Sequence, residues 1–220
     1  GDRVEVRSGV TSLVVDRLVV CAGLHSDHVA AMVGAAGDVR IVPFRGEYYR
    51  LRPPARDRVR GLVYPVPDPR YPFLGIHLTR TVDGEVLVGP NAVMALALAG
   101  YRWRDVSLRD LRGVASWPGT RRMALAHWRT GVHELSSSLS KRRFTRAAAT
   151  YLPGLSTRDL ERTRSGVRAQ AVGRDGRLVD DFVLQQVGPV LLVRNAPSPG
   201  ATSSLAIAEH VVSTMTAQLT

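Results

Sequence analysis

The sequence predicts an α/β (α+β) chain on three observations. A β-branched stretch ends in the apolar run Leu18-Val19-Val20-Cys21, followed by a glycine turn and a short helical pattern. Short β-type runs separated by proline and Asp-Gly turns fill Val39 to Gly89. A helical stretch then gives way to strands and one last amphipathic helix.

In order, Val4–Val6 and Val10–Val20 read as strands, the second of the continuous apolar kind found in sheets covered on both faces. Ser26 or Asp27 offers a cap for a helix over about His28 to Val33. Val39–Phe44, Gly46–Leu51, Gly61–Val66, Phe73–Thr79 and Glu85–Gly89 form an antiparallel sheet, with Asp83-Gly84 as its hairpin turn. Ser107 to Arg164 is helical, with Ser107/Asp110 and Ser156/Asp159 spaced as N-terminal caps. Strands return at Gly166–Val172, near Phe182–Gln185 and at Val190–Arg194, and a helix of roughly 17 residues follows the turn Pro197 to Ser204. The chain opens on Gly1 inside a strand pattern and reads as a piece of something longer.

Composition narrows the classes. The 220 residues are 45% hydrophobic and 22% charged, an ordinary globular mixture that excludes disorder and collagen-like repeats. No stretch reaches the ~20 apolar residues of a membrane-spanning helix. One cysteine, Cys21, excludes an internal disulfide and a cysteine-built zinc site, and with no basic-then-apolar start the expected location is cytoplasmic. The formal charge of +11 invites nucleic acid, but all basic residues except Lys141 are arginine, spread along the chain, with only 6% aromatic residues for stacking. That usage fits a GC-rich bacterial genome, so no nucleic-acid partner is expected; the charge instead favours small anions.

Four segments carry chemistry. The last helix begins among the small residues Gly200, Ala201 and Ser203, which let a flat, electron-rich ligand reach its unpaired N–H groups; an ordinary capped helix has the same local pattern. Val19 to Gly23 is a strand followed by Ala22-Gly23, suited either to a cofactor or to a plain turn. No G-x-G-x-x-G is present. In the sheet, Arg45, Glu47 and Tyr49 share one strand face and His77 shares another with Thr79, while Arg80 points away from His77 unless a bulge intervenes. An imidazole amid arginines and tyrosines suits removal of a hydroxyl proton beside a bound carboxylate, or else a hydrogen-bonded structural role. Arg168 on its strand either grips a carboxylate through two parallel hydrogen bonds or is one more exposed arginine. The other five histidines show no metal-ligand spacing, so no metal is expected.

Taken in order, VVCAGLHSD (Val19–Asp27), RGEYYRLR (Arg45–Arg52), YPVPDPRYPFLGIHLTR (Tyr64–Arg80), DGEVLVGPNAV (Asp83–Val93), GVRAQAV (Gly166–Val172), RDGRLVDDF (Arg174–Phe182) and NAPSPGATSSLAIAEH (Asn195–His210) resemble the L-2-hydroxyglutarate dehydrogenases/oxidases of the FAD-dependent, D-amino-acid-oxidase-like superfamily. The resemblance spans nearly the whole chain. It implies the remnant of an FAD-binding Rossmann-like domain (residues 1–38 and 173–220) and an antiparallel substrate domain (39–172) with a helical insertion at about 107–164. It also implies that the N-terminal FAD-binding segment carrying G-x-G-x-x-G is missing, so that this chain is inactive alone. The activity implied is oxidation of the small dicarboxylate L-2-hydroxyglutarate to 2-oxoglutarate, with FAD as cofactor and a quinone, another carrier or oxygen as electron acceptor. A peripheral contact with the inner face of the cell membrane goes with a quinone. Ala22, Gly23, Ser198, Pro199, Gly200, Ala201, Thr202 and Ser203 match the flavin contacts, and Arg168 the carboxylate anchor. Tyr49, Tyr64, His77, Arg80 and Arg45 fall in the substrate-sheet blocks, with His77 as base. The alternatives are another 2-hydroxy or amino acid on the same scaffold, or a non-catalytic fragment or basic binding module.

Overall fold

A computed structural model describes residues 3–35, 37–66, 75–197 and 200–217. By internal contacts the chain forms two units, one of residues 1–42 with 169–220 and one of 43–168. The chain passes between them at 42/43 and 168/169, four residues from the expected 38/39 and 172/173.

In the first unit, β1 (Val4–Ser8) and β2 (Thr11–Val15) form an antiparallel hairpin. The expected continuous strand over Val10–Val20 is broken at Asp16-Arg17, and β3 covers only Leu18–Val20. A 3-10 turn at Gly23–His25 leads into α1 (Ser26–Met32). Neither expected cap acts as one. The Ser26 hydroxyl donates back to the Gly23 carbonyl at 2.7 Å. The Asp27 carboxylate accepts the Ile41 N–H at 2.7 Å and meets Arg194 Nη2 at 2.8 Å.

β4 (Val39–Leu51) begins here and runs into the second unit. It is one 13-residue strand where two were expected. Gly46 does not interrupt it, and a Cβ there would lie 2.5 Å from Pro90 Cβ. β5 (His77–Arg80) and β6 (Val86–Gly89) form the expected Asp-Gly hairpin, followed by β7 (Val93–Met94). The expected strand at Gly61–Val66 is a single bridge, Val63 to Leu78. Four short helices follow: α2 (Leu108–Ser116), α3 (Pro118–Ala126), α4 (Trp128–Leu139) and α5 (Lys141–Ala149). Ser107 caps α2 as its spacing predicts, accepting from Asp110 N–H at 3.2 Å. Ser156 and Asp159 form a complete capping box, but around one 3-10 turn. β8 (Leu160–Gly173) then starts six residues before the expected strand, because the alternating run from Leu160 pairs with β4. The sheet order is β5-β6-β4-β7, with β8 also on β4.

Back in the first unit, β9 (Val183–Val187) pairs antiparallel with β10 (Val190–Asn195), which pairs parallel with β3. The last helix, α6 (Ser204–Thr216), packs Val211 and Met215 onto Leu191 and Val193.

Register sorts the side chains of the second unit. Tyr49 pairs with Val88, Val88 with Leu78 and Val86 with Arg80, so these residues share one face. That face carries the core: Tyr49, Leu51, Leu78, Val86 and Val88 pack on Phe144 and Ala148 of α5. Glu47 lies on the same face, buried, and is held from several sides. Trp103 Nε1 donates to it at 3.0 Å, Ser138 Oγ at 2.5 Å and Asn91 Nδ2 at 3.4 Å. Arg45, 1% exposed, stacks 4.0 Å over the Trp103 ring and places Nη2 3.5 Å from Glu47 Oε1. Burial lowers the Arg45 pKa, against the attraction of Glu47. Removing one partner of a buried ion pair leaves an unpaired charge, at a cost of about 3–5 kcal/mol. Glu47→Ala in the full-length protein is therefore expected to lose about that much stability in urea, and a loss no larger than that of an exposed substitution would show the cluster to be dispensable.

Candidate functional site

The face opposite the core carries His77, which pairs with Gly89. Tyr64 stacks on the imidazole, with centroids 4.4 Å apart and planes 17° from parallel. The Tyr64 hydroxyl lies 3.4 Å from Thr79 Oγ1, on the same side of β5. Tyr48, one residue from Tyr49 and so on the other side of β4, lies on this same face beside Gly89. Burial and the nearby Tyr64 raise its phenol pKa. Gly89 makes this packing possible. Its φ is +138°, and a Cβ there would lie 2.6 Å from the Glu47 carbonyl and 3.2 Å from the Tyr48 ring.

His77 Nδ1 is 3.2 Å from the Gly75 carbonyl. A carbonyl only accepts, so Nδ1 carries the proton and Nε2 presents its lone pair, with no hydrogen-bond partner among the described residues. Burial lowers the His77 pKa from 6.5, partly opposed by the Gly75 contact, so the ring is neutral at pH 7. That is the form of a proton acceptor.

Register also separates residues that the sequence had grouped. Arg45, Tyr49 and Arg80 lie on the core face, away from His77. Arg45 serves Glu47, and the Tyr49 ring packs 4.5 Å from Phe144. No bulge shifts β5, and the Arg80 guanidinium donates to the Val59 carbonyl at 2.9 Å. Arg168 is exposed on β8. The sequence reading missed Tyr48, for which the signal was only its neighbour's parity, and the Glu47 partners Asn91, Trp103 and Ser138, which no local pattern announces. It also missed a cavity of about 500 Å³ beside Glu47 and Trp103, lined by Arg102, Arg162 and Arg164, whose charge favours small anions.

In the first unit, a cavity of about 470 Å³ opens beyond the C-terminal ends of the parallel pair β3 and β10. This is the usual ligand position of an open α/β sheet. Val19, Cys21, Val193, Ile207 and Val211 make it largely apolar, and Gly23, Gly200 and Ser204 bring backbone to its edge. Gly23 has φ +53°, and a Cβ there would meet nothing within 4 Å. Ala22 precedes it, its carbonyl accepting His25 N–H at 3.0 Å. Ala201, Thr202 and Ser203 form the turn into α6, whose first-turn N–H groups receive no side-chain cap from Ser203. Ser198 and Pro199 lie outside the described residues.

The family model for FAD dependent oxidoreductases matches residues 1–214. The chain belongs to that family. A Salmonella houtenae protein named L-2-hydroxyglutarate dehydrogenase is 47% identical over 196 residues, covering 89% of this chain and 46% of that protein. A mitochondrial Caenorhabditis elegans protein of the same name is 43% identical over 220 residues, covering 97% and 51%. The chain thus spans about half the length of the curated relatives it matches. A solved dithionite-reduced L-alpha-glycerophosphate oxidase from Mycoplasma pneumoniae, with FAD bound, shares the fold at a TM-score of 0.59 and 17% identity, covering 91% of this chain and 42% of that one.

The apolar cavity fits the family's cofactor. Its aliphatic walls suit a planar ring, the glycine edges admit close backbone approach, and the uncapped α6 start favours electron-rich ligand atoms.

A histidine with a depressed folded pKa is protonated first in the unfolded chain. Its stability contribution is therefore full above the unfolded value and lost as pH falls from about 6.5 through the folded value. In the full-length protein, His77→Asn is expected to flatten the decline of urea stability over that interval. An unchanged pH profile would mean that His77 is not held as a buried neutral ring.

Proposed function

We propose that this chain is the substrate-sheet and closing-helix portion of an FAD-dependent L-2-hydroxyglutarate oxidoreductase. Its carrying observation is the 43–47% identity, over 89–97% of the chain, to several relatives bearing that name. Residues 1–38 and 173–220 serve the cofactor and 39–172 the substrate.

His77 takes the C2 hydroxyl proton on Nε2, and the Gly75 carbonyl holds the resulting imidazolium through Nδ1–H. Tyr64, stacked on the imidazole, fixes the ring's plane. Arg168 holds a substrate carboxylate. Ala22, Gly23 and the turn from Gly200 to Ser203 border the ring of FAD, which when bound supplies the two-electron acceptor for the hydride leaving C2. Arg45, Tyr49 and Arg80 support the site from the core face. The electrons pass on to a quinone, another carrier or oxygen.

The full-length protein is expected to oxidise L-2-hydroxyglutarate with an artificial acceptor, in preference to glycerol 3-phosphate, sarcosine and D-amino acids. His77→Asn is expected to lower kcat roughly 100-fold or more. Loss of a charged hydrogen-bond pair in Arg168→Ala is expected to lower kcat/KM roughly 10- to 150-fold, mainly through KM. Turnover of another substrate alone would overturn the substrate assignment, and unchanged kinetics in either variant would remove that residue from the site.

A further inference from the structure

The cavity of about 500 Å³ beside Glu47 lies wholly within the second unit, between β8 and the loop before α2. Arg162 and Arg164 of β8 form one wall, Arg102 and Trp103 the other, and Glu47 borders the space between them. The Ser165 hydroxyl donates to the Tyr101 carbonyl and ties the two walls together. The volume falls within the roughly 300–1,000 Å³ of small-molecule pockets.

Its charges are unbalanced. Glu47 is the one acid in the lining, and its carboxylate is already filled by Trp103, Ser138, Asn91 and Arg45. Asp105, the nearby acid of the loop, accepts the Arg102 backbone N–H at 2.8 Å. Arg162 Nη2 lies 3.5 Å from two neutral oxygens, the Tyr49 hydroxyl and the Ser138 carbonyl. The Arg102 and Arg164 guanidiniums meet no acceptor among the described residues. Stacked on Trp103 is Arg45, 1% exposed, whose Nε and Nη2 complete no hydrogen bond among the described residues. Burial holds the Arg45 pKa down, Glu47 and Asp105 oppose the fall, and the like charge of Arg162 adds to it.

Single exposed arginines are ordinary. Three gathered around one cavity, with a fourth buried behind its wall, repel one another unless an anion joins them. Arg162 and Arg164 are two residues apart on one strand, so their side chains leave it on the same side, roughly 6.6 Å apart. Guanidinium forks take carboxylate or phosphate two oxygens at a time. The cavity has room for more than one such group.

We propose that this pocket binds a small polyanion, a molecule with two or more carboxylate or phosphate groups, held by Arg102, Arg162 and Arg164. Glu47 lies on the face of β4 opposite His77, and the pocket shares no lining residue with the apolar cavity of the first unit. Its occupant is therefore an effector, separate from substrate and cofactor, and the inference does not rest on the substrate reading.

The test is calorimetric titration of the FAD-loaded full-length protein with citrate and with pyrophosphate, at about 0.1 M chloride. Saturable binding of at least one is expected, and the tighter of the two tells a carboxylate effector from a phosphate one. Arg102→Gln with Arg164→Gln is expected to weaken the binding roughly 10-fold or more. The same pair should not lower the anion-free melting temperature, because it removes like-charge repulsion. Arg164→Lys, which keeps the charge and loses the fork, is expected to lose less than the pair. Arg168→Ala is expected to leave the binding intact. No saturable binding of either anion, or full-strength binding in the double variant, overturns the proposal. So does loss of binding in Arg168→Ala, which would place the anion in the substrate site.

Discussion

The buried carboxylate of Glu47 is the constraint on which the second unit depends. A charge removed from water is tolerable only when its lone pairs are filled and an opposite charge stands nearby. Glu47 meets that demand by drawing in Asn91 from the turn after β6, Trp103 from the loop before α2, Ser138 from α4 and Arg45 from its own strand. Elements far apart in sequence are thereby fixed to the centre of β4. The orientation of α4 follows. A helix that must offer a serine to a buried carboxylate turns its polar side inward, and its large apolar side chains are left facing out.

The opposite face of the same strand is shaped by a different requirement. Tyr64 stacks on His77, whose imidazole is half-buried, neutral and oriented by a carbonyl, and Tyr48 lies on the same side of the sheet against Gly89. These conditions pull in different directions: burial disfavours the imidazolium, while the Gly75 carbonyl stabilises it. A ring balanced in this way can receive a proton without holding one at rest. The alternation of β4 keeps this chemistry apart from the Glu47 cluster, even though both draw on the run Arg45 to Tyr49.

In the first unit, two parallel strands and one helix start converge on an apolar cavity. α1 is tied into this arrangement through Asp27, which reaches both Ile41 and Arg194. Asp27 thus holds Ile41 and Arg194 at the cavity, whose remaining lining is mostly apolar.

Much of this was legible in the sequence. The glycine turn after β3, the Asp-Gly hairpin, the Ser107 cap and the terminal helix rest on local backbone preferences, which a few adjacent residues determine by themselves. Period-2 alternation likewise put Arg45, Glu47 and Tyr49 together correctly. Alternation along β5 turned Arg80 away from His77 as expected. Which face met the core was a matter of register between β4, β5 and β6, and that pairing put Tyr49 and Arg45 on the face opposite His77 and Tyr48 on its side. The Glu47 partners and the outward apolar face of α4 were decided only when distant segments packed, because a buried charge recruits whatever donors the fold brings near, and no spacing along the chain records that choice.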